Sequence, residues 1–105
     1  MYKRQGEFYT YAQGYDPGFI VRAEEVLKTA IDMSPTNQQG YRLLAQVYMF
    51  TKEYEKAIDL LTKSVALEPD LGDSHWFLGR AYDLSGDNKK AEAAFAKALE
   101  LGYSR

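Results

Sequence analysis

The residues with the most reactive chemistry in this chain are few. His75 is the lone histidine and Asp73 stands two places before it. An imidazole oriented by a carboxylate is the usual core of a general base. The sequence holds no Cys, so thiolate nucleophiles, Cys–His pairs and disulfides are excluded. One His leaves no metal triad of the common kind. Asp83, Asp87 and Asn88 lack calcium-loop spacing. Glu24, Glu25 and Glu92 fall on outward helical faces and read as solvating charge. No Gly-rich phosphate loop occurs. No enzyme activity and no cofactor are therefore expected, and His75 reads as a packing residue.

The elements that would position these residues come from a self-match. Shifting the chain by 34 residues, a spacing known from helix–turn–helix repeats, brings Leu44 onto Leu78, Ala45 onto Gly79 and Tyr48 onto Tyr82. It also brings Ala57 onto Ala91, Leu61 onto Phe95, Ser64 onto Ala98 and Leu67 onto Leu101. An earlier copy reads Phe8, Tyr11, Ala12 and Tyr15, then Ala23, Leu27, Ala30 and Pro35. Apolar residues at i, i+3, i+4 and i+7 predict helices throughout. Six helices in three pairs are expected.

Boundaries follow from local chemistry. Asp16-Pro17 starts the second helix, with Pro at its first position. That helix is expected to turn Val26, Leu27, Ala30, Ile31 and Met33 inward and Glu24, Glu25, Lys28 and Asp32 outward. Ser34-Pro35 ends it. Thr36 with Gln39 reads as a capping box for the third helix. Thr51-Lys52-Glu53 and Glu68-Pro69-Asp70 are turns. Asp87 is an N-cap and Gly102 a C-terminal stop.

The 105 residues suit one domain. The net charge of −2 gives no basic footprint, so no nucleic acid is expected. No apolar run approaches a membrane span, so no direct insertion is expected either.

The quoted residues resemble the tetratricopeptide repeat signature of a bulky residue, Leu-Gly, Tyr, Ala, Phe and Pro. His75 stands at the bulky position, with Trp76 one place later, and Tyr103 stands where Pro is expected. The resemblance covers Glu7 to Leu101. It implies an all-α fold of three helix–turn–helix repeats, at about 5–37, 38–71 and 72–105, stacked as a short right-handed superhelical solenoid. It also implies that the first helix of each pair lines a concave groove. The binding candidates on that face are Tyr9, Gln13, Gln39, Arg42, Gln46, Met49, Asp73, Trp76, Phe77 and Arg80. Amides would bond a peptide backbone, aromatics would take an apolar side chain, and Arg42 and Arg80 would pair with a carboxylate. Phe77 serves either the groove or a neighbouring helix. The chaperone-tail clamp of some family members needs Lys, Asn and Arg. The matching positions here include Tyr9, Gln13, Leu43, Asp73 and Phe77, so that ligand is not expected.

Two further resemblances concern origin. Met1-Tyr2-Lys3-Arg4-Gln5 resembles a translated sequencing adapter found at the head of metagenomic reading frames. Residues 1–5 are thus expected to be a non-native leader and 6–105 the domain. The runs Ser34–Gln39 and Asp73–Gly79 are similar to tails of bacterial O-antigen ligase or polymerase membrane proteins. The reading is therefore a non-catalytic module for a peptide or protein partner. The alternative is an accessory domain of a glycan ligase, marked by hydrophobic spans upstream in the gene. A third reading is a plain spacer. Self-association through the last helix, near Phe95 and Leu99, is also expected.

Small residues at Ala57 and Ala91 are expected to let paired helices approach. Ala57→Leu should overpack this contact and lower stability by about 1–3 kcal/mol in urea denaturation.

Overall fold

The computed structural model describes residues 17–103. They form five helices: α1 Pro17–Met33, α2 Gln38–Phe50, α3 Tyr54–Leu67, α4 Gly72–Ser85 and α5 Asn88–Glu100. There is no strand among the described residues. Each helix packs on the next, and α2 also meets α4. The pairs α2–α3 and α4–α5 are complete hairpins, and α1 is the second helix of the pair before them. This is the repeat architecture implied by the sequence. The expected first helix, over Phe8, Tyr11, Ala12 and Tyr15, lies outside the described residues.

The core forms where the small residues were expected. Leu44, Ala45, Tyr48, Ala57, Leu61 and Ala81 make one buried cluster, with Leu27, Ile31, Phe77 and Leu78 packed on it. Ala57 is fully buried and Ala91 nearly so. The crossing of each hairpin matches size against size. Gly79 of α4 faces the Phe95 ring so closely that an added Cβ would lie 2.7 Å from Cδ1. One repeat earlier the equivalent residues are Ala45 and Leu61, both with no exposed surface. The smaller residue stands opposite the larger ring.

Polar contacts recur with the same period. Tyr41 Oη donates to the Pro35 carbonyl at 2.7 Å. His75 Nε2 lies 2.8 Å from the Pro69 carbonyl. A carbonyl only accepts, so Nε2 carries the proton. Lys56 and Lys90 sit over the rings of Tyr48 and Tyr82, 5.3 and 5.6 Å from the centroids. Two contacts are not repeated. Ser64 and Ser74, both fully buried, share a 2.7 Å hydrogen bond between α3 and α4. Tyr48 Oη donates to Glu24 Oε2 at 2.7 Å, linking α2 to α1.

Three helix ends close in the same way. Lys52, Gly86 and Gly102 have φ of 67°, 97° and 88°. The following residue donates its N–H back to a helical carbonyl: Glu53 to Tyr48, Asp87 to Tyr82 and Tyr103 to Ala98. This is the Schellman closure, which favours Gly because a Cβ is strained there. Lys52 occupies the position held by Gly86 one repeat later and bears that strain.

Three expectations need correction. The N-cap of α2 is Asn37, not Thr36: Asn37 is extended and its Oδ1 accepts from Gln39 N at 2.9 Å. Thr36 is consumed by the turn before it. Val26, Ala30 and Met33 are not inward: Ala30 is exposed, and Val26 and Met33 are 66% and 79% exposed. The one described helix packed on α1 is α2, and Val26 is turned about 100° round the helix from Leu27. Glu24 is not outward: it is half-buried by its bond to Tyr48.

Two predictions follow from these contacts. Gly79→Ala should destabilise by about 1–2 kcal/mol, because the clash outweighs the better helix propensity of Ala. Adding Phe95→Leu should recover most of that loss in thermal unfolding. The second concerns Glu24, whose carboxyl is held below its ordinary 4.5 by the Tyr48 hydroxyl and then by Lys28. A depressed carboxylate stabilises the fold above its unfolded value and loses that contribution as pH falls through the folded one. Glu24→Gln should therefore cost about 1 kcal/mol near pH 7 and much less near pH 3, by denaturant titration.

Candidate functional site

α2 and α4, the first helices of the two complete hairpins, lie against each other. Between their C-terminal halves lies an open groove of about 360 Å³. Its α2 wall is Gln46, Met49 and Phe50; its α4 wall is Phe77, Arg80 and Leu84. Lys52 and Tyr54, from the turn after α2 and the start of α3, also line it.

The helical spacing explains the walls. Gln46, Met49 and Phe50 stand at i, i+3 and i+4, and Phe77, Arg80 and Leu84 at i, i+3 and i+7, so each set shares one helical face. The core takes the neighbouring stripe of Leu44, Ala45 and Tyr48. Phe50 and Leu84 are left 52% and 44% exposed, although they are large and apolar. Phe77 is half-buried on the core and also lines the groove.

Four sequence-derived candidates, Gln46, Met49, Phe77 and Arg80, are thus brought together. Others are placed elsewhere. Gln39 borders a separate cleft with Leu27, Met33 and Leu43 between α1 and α2. Arg42 Nε donates to Gln38 Oε1 on its own helix at 3.3 Å. Asp73 is half-buried in the first turn of α4, where a carboxylate suits the helix dipole. Trp76 is engaged by packing: its ring stacks on Tyr103 at 5.4 Å and meets Phe77 edge-on at 5.1 Å. The Arg80 guanidinium lies 5.4 Å from the Trp76 centroid, so Trp76 braces a groove residue. Tyr9 and Gln13 lie outside the described residues.

Four wall residues escape a reading by repeat signature: Phe50, Lys52, Tyr54 and Leu84. A signal for two of them was present. The 34-residue shift pairs Phe50 with Leu84, both apolar and both off the core stripe. His75, the one candidate base, is spent on the Pro69 carbonyl. Among the described residues no acidic or histidine cluster could hold a metal ion, and no helix is long and apolar enough to cross a membrane. Of the two residues expected at a self-association surface, Leu99 is 71% exposed, while Phe95 is half-buried against Gly79.

Stacked helical hairpins with a grooved inner surface define a helical-repeat solenoid. The match to known proteins makes this specific: residues 38–103 fit the tetratricopeptide repeat, and the chain belongs to that family. It is similar to heat shock protein STI1 of Saccharomyces cerevisiae, at 32% identity over 98% of this chain and 17% of the yeast protein. Among solved structures it is similar to MamA, with a TM-score of 0.76 and 29% identity over 81% of this chain and 50% of that one. MamA 41-end from Desulfovibrio magneticus RS-1 gives a TM-score of 0.75 and 30% identity, over 79% of this chain and 47% of that one. The chain thus spans about half of each MamA chain and a small part of the yeast relative.

Proposed function

We propose that this chain is a non-catalytic module that binds an extended peptide or protein segment in the groove between α2 and α4. Tetratricopeptide repeats are in general protein-interaction modules. The observation that carries the reading here is the pair Phe50 and Leu84. Both are large apolar side chains at equivalent repeat positions, both stay exposed, and both face one cleft. Scattered exposed apolars are ordinary, but a matched pair across a groove with Met49 and Phe77 is a binding surface. Gln46 supplies an amide for a peptide backbone, and Arg80 a cation at the edge.

The test is direct. Phe50→Ser with Leu84→Ser removes groove surface without touching the core, so the fold should persist by circular dichroism. Binding to peptides selected on the wild-type protein by display should weaken at least about tenfold in calorimetry. Unchanged affinity would place the binding surface elsewhere.

A further inference from the structure

Helix α1 carries an apolar stripe that its described neighbours leave open. Ala23, Val26, Leu27, Ala30 and Met33 share one helical face by their spacing. The 34-residue shift places them on Ala57, Leu60, Leu61, Ser64 and Leu67 of α3. A second shift places these on Ala91, Ala94, Phe95, Ala98 and Leu101 of α5. Burial does not follow the match. Ala57, Leu61 and Ser64 have no exposed surface, and Ala91, Ala94 and Ala98 are buried as well. On α1, Ala30 is exposed, Ala23 and Leu27 are only half-buried, and Val26 is 66% exposed.

The helix pairing explains the difference. α3 packs on α2 and α4, and α5 packs on α4, so each meets the first helix of its own hairpin. Among the described residues, α1 meets only α2, which begins the next hairpin. A cleft of about 300 Å³, lined in part by Leu27, Ala30, Met33, Gly40 and Leu43, opens between α1 and α2. One repeat later, Ser64 and Ser74 stand where Ala30 and Gly40 stand here. There the start of α2 fills the space, with its Gln38 carbonyl oxygen 3.3 Å from Ser64 Oγ.

We propose that residues 7–15 of this chain cover the α1 stripe, as the first helix of a third hairpin. The segment has the side chains that the face requires. Phe8, Tyr11, Ala12 and Tyr15 match Tyr41, Leu44, Ala45 and Tyr48, all buried on α2. Ala12 falls to Leu27 as Ala45 falls to Leu61 in the core cluster. A small residue again meets a large one. The occupant is the chain itself because the segment stops at Asp16, next to the first residue of α1. So short a tether gives an effective concentration on the order of 1 mM, which a second copy reaches only when concentrated. Tyr9 and Gln13 then stand at the positions that Arg42 and Gln46 hold on α2. The surface offered to a partner gains one more first helix.

The chain holds no Cys, so a single introduced thiol reports local cover. Ala30→Cys places one on the stripe, and Thr29→Cys places one on the exposed side next to it. In the full chain, the thiol of Ala30→Cys should react with a maleimide at least about tenfold more slowly than that of Thr29→Cys. The ratio should not change with protein concentration. Adding Phe8→Ser, Tyr11→Ser and Tyr15→Ser should bring the two rates together. Ala98→Cys, buried on α5, should stay protected in that background, which excludes global unfolding. Ala12→Leu, a milder change that overpacks the same contact, should raise the Ala30→Cys rate in the same sense. Equal rates for the two thiols without the serine changes overturn the proposal. So does protection that fades on dilution, which assigns the stripe to a second copy. Protection that survives both the serine changes and Ala12→Leu overturns it as well. None of these results bears on the groove between α2 and α4.

Discussion

The structure depends on how closely the two helices of a hairpin can approach. At each crossing a small residue on the first helix faces a larger one on the second: Ala45 near Leu61, and Gly79 against the Phe95 ring. Close-packed interiors leave no slack, so an extra methyl on one side must be matched by a smaller group on the other. This spacing fixes the depth at which α2 and α4 sit over α3 and α5. It therefore sets which of their side chains are swallowed by the core and which remain on the concave side.

Polar contacts add a second layer of order. The bond from the first helix to the preceding turn is made by a phenol in one repeat and an imidazole in the next, at nearly the same length. The position requires a donor of a given reach, not a particular side chain. That is why His75 can stand where Tyr41 stands one repeat earlier. The unrepeated contacts sit at the joints between repeats. The Ser64–Ser74 bond ties α3 to α4, and the Tyr48–Glu24 bond ties α2 to α1. The first is replaced in the last repeat, where Ala98 stands at the Ser64 position. There, Tyr103 folds onto the start of α4 instead and stacks on Trp76.

These layers explain the character of the groove. Its walls come from helices locked by their opposite faces, so Phe50, Leu84 and Met49 are presented by a rigid frame. Trp76 is half-buried, stacked on Tyr103 with the Arg80 guanidinium 5.4 Å from its ring. The resulting surface carries apolar side chains on both walls, with Arg80 and Lys52 also lining it.

Much of this was legible in the residue order. The 34-residue self-match, the small residues at Ala57 and Ala91, and the stops at Pro35 and Gly102 are local or periodic signals. They follow from the helical repeat and from backbone sterics, which act within a few residues or one hairpin. Gln46, Met49, Phe77 and Arg80 were named from the family resemblance, which puts first helices along the groove, and the structure brings them to one cleft. The distribution of the remaining side chains was decided by the tertiary structure. Whether Val26, Trp76 or Phe50 is covered depends on a helix from another part of the chain. Whether Lys52 strains its backbone depends on a closure shared among Tyr48, Met49 and Glu53. Periodicity says which way a side chain leaves its own helix; only the packed neighbours determine what it meets there.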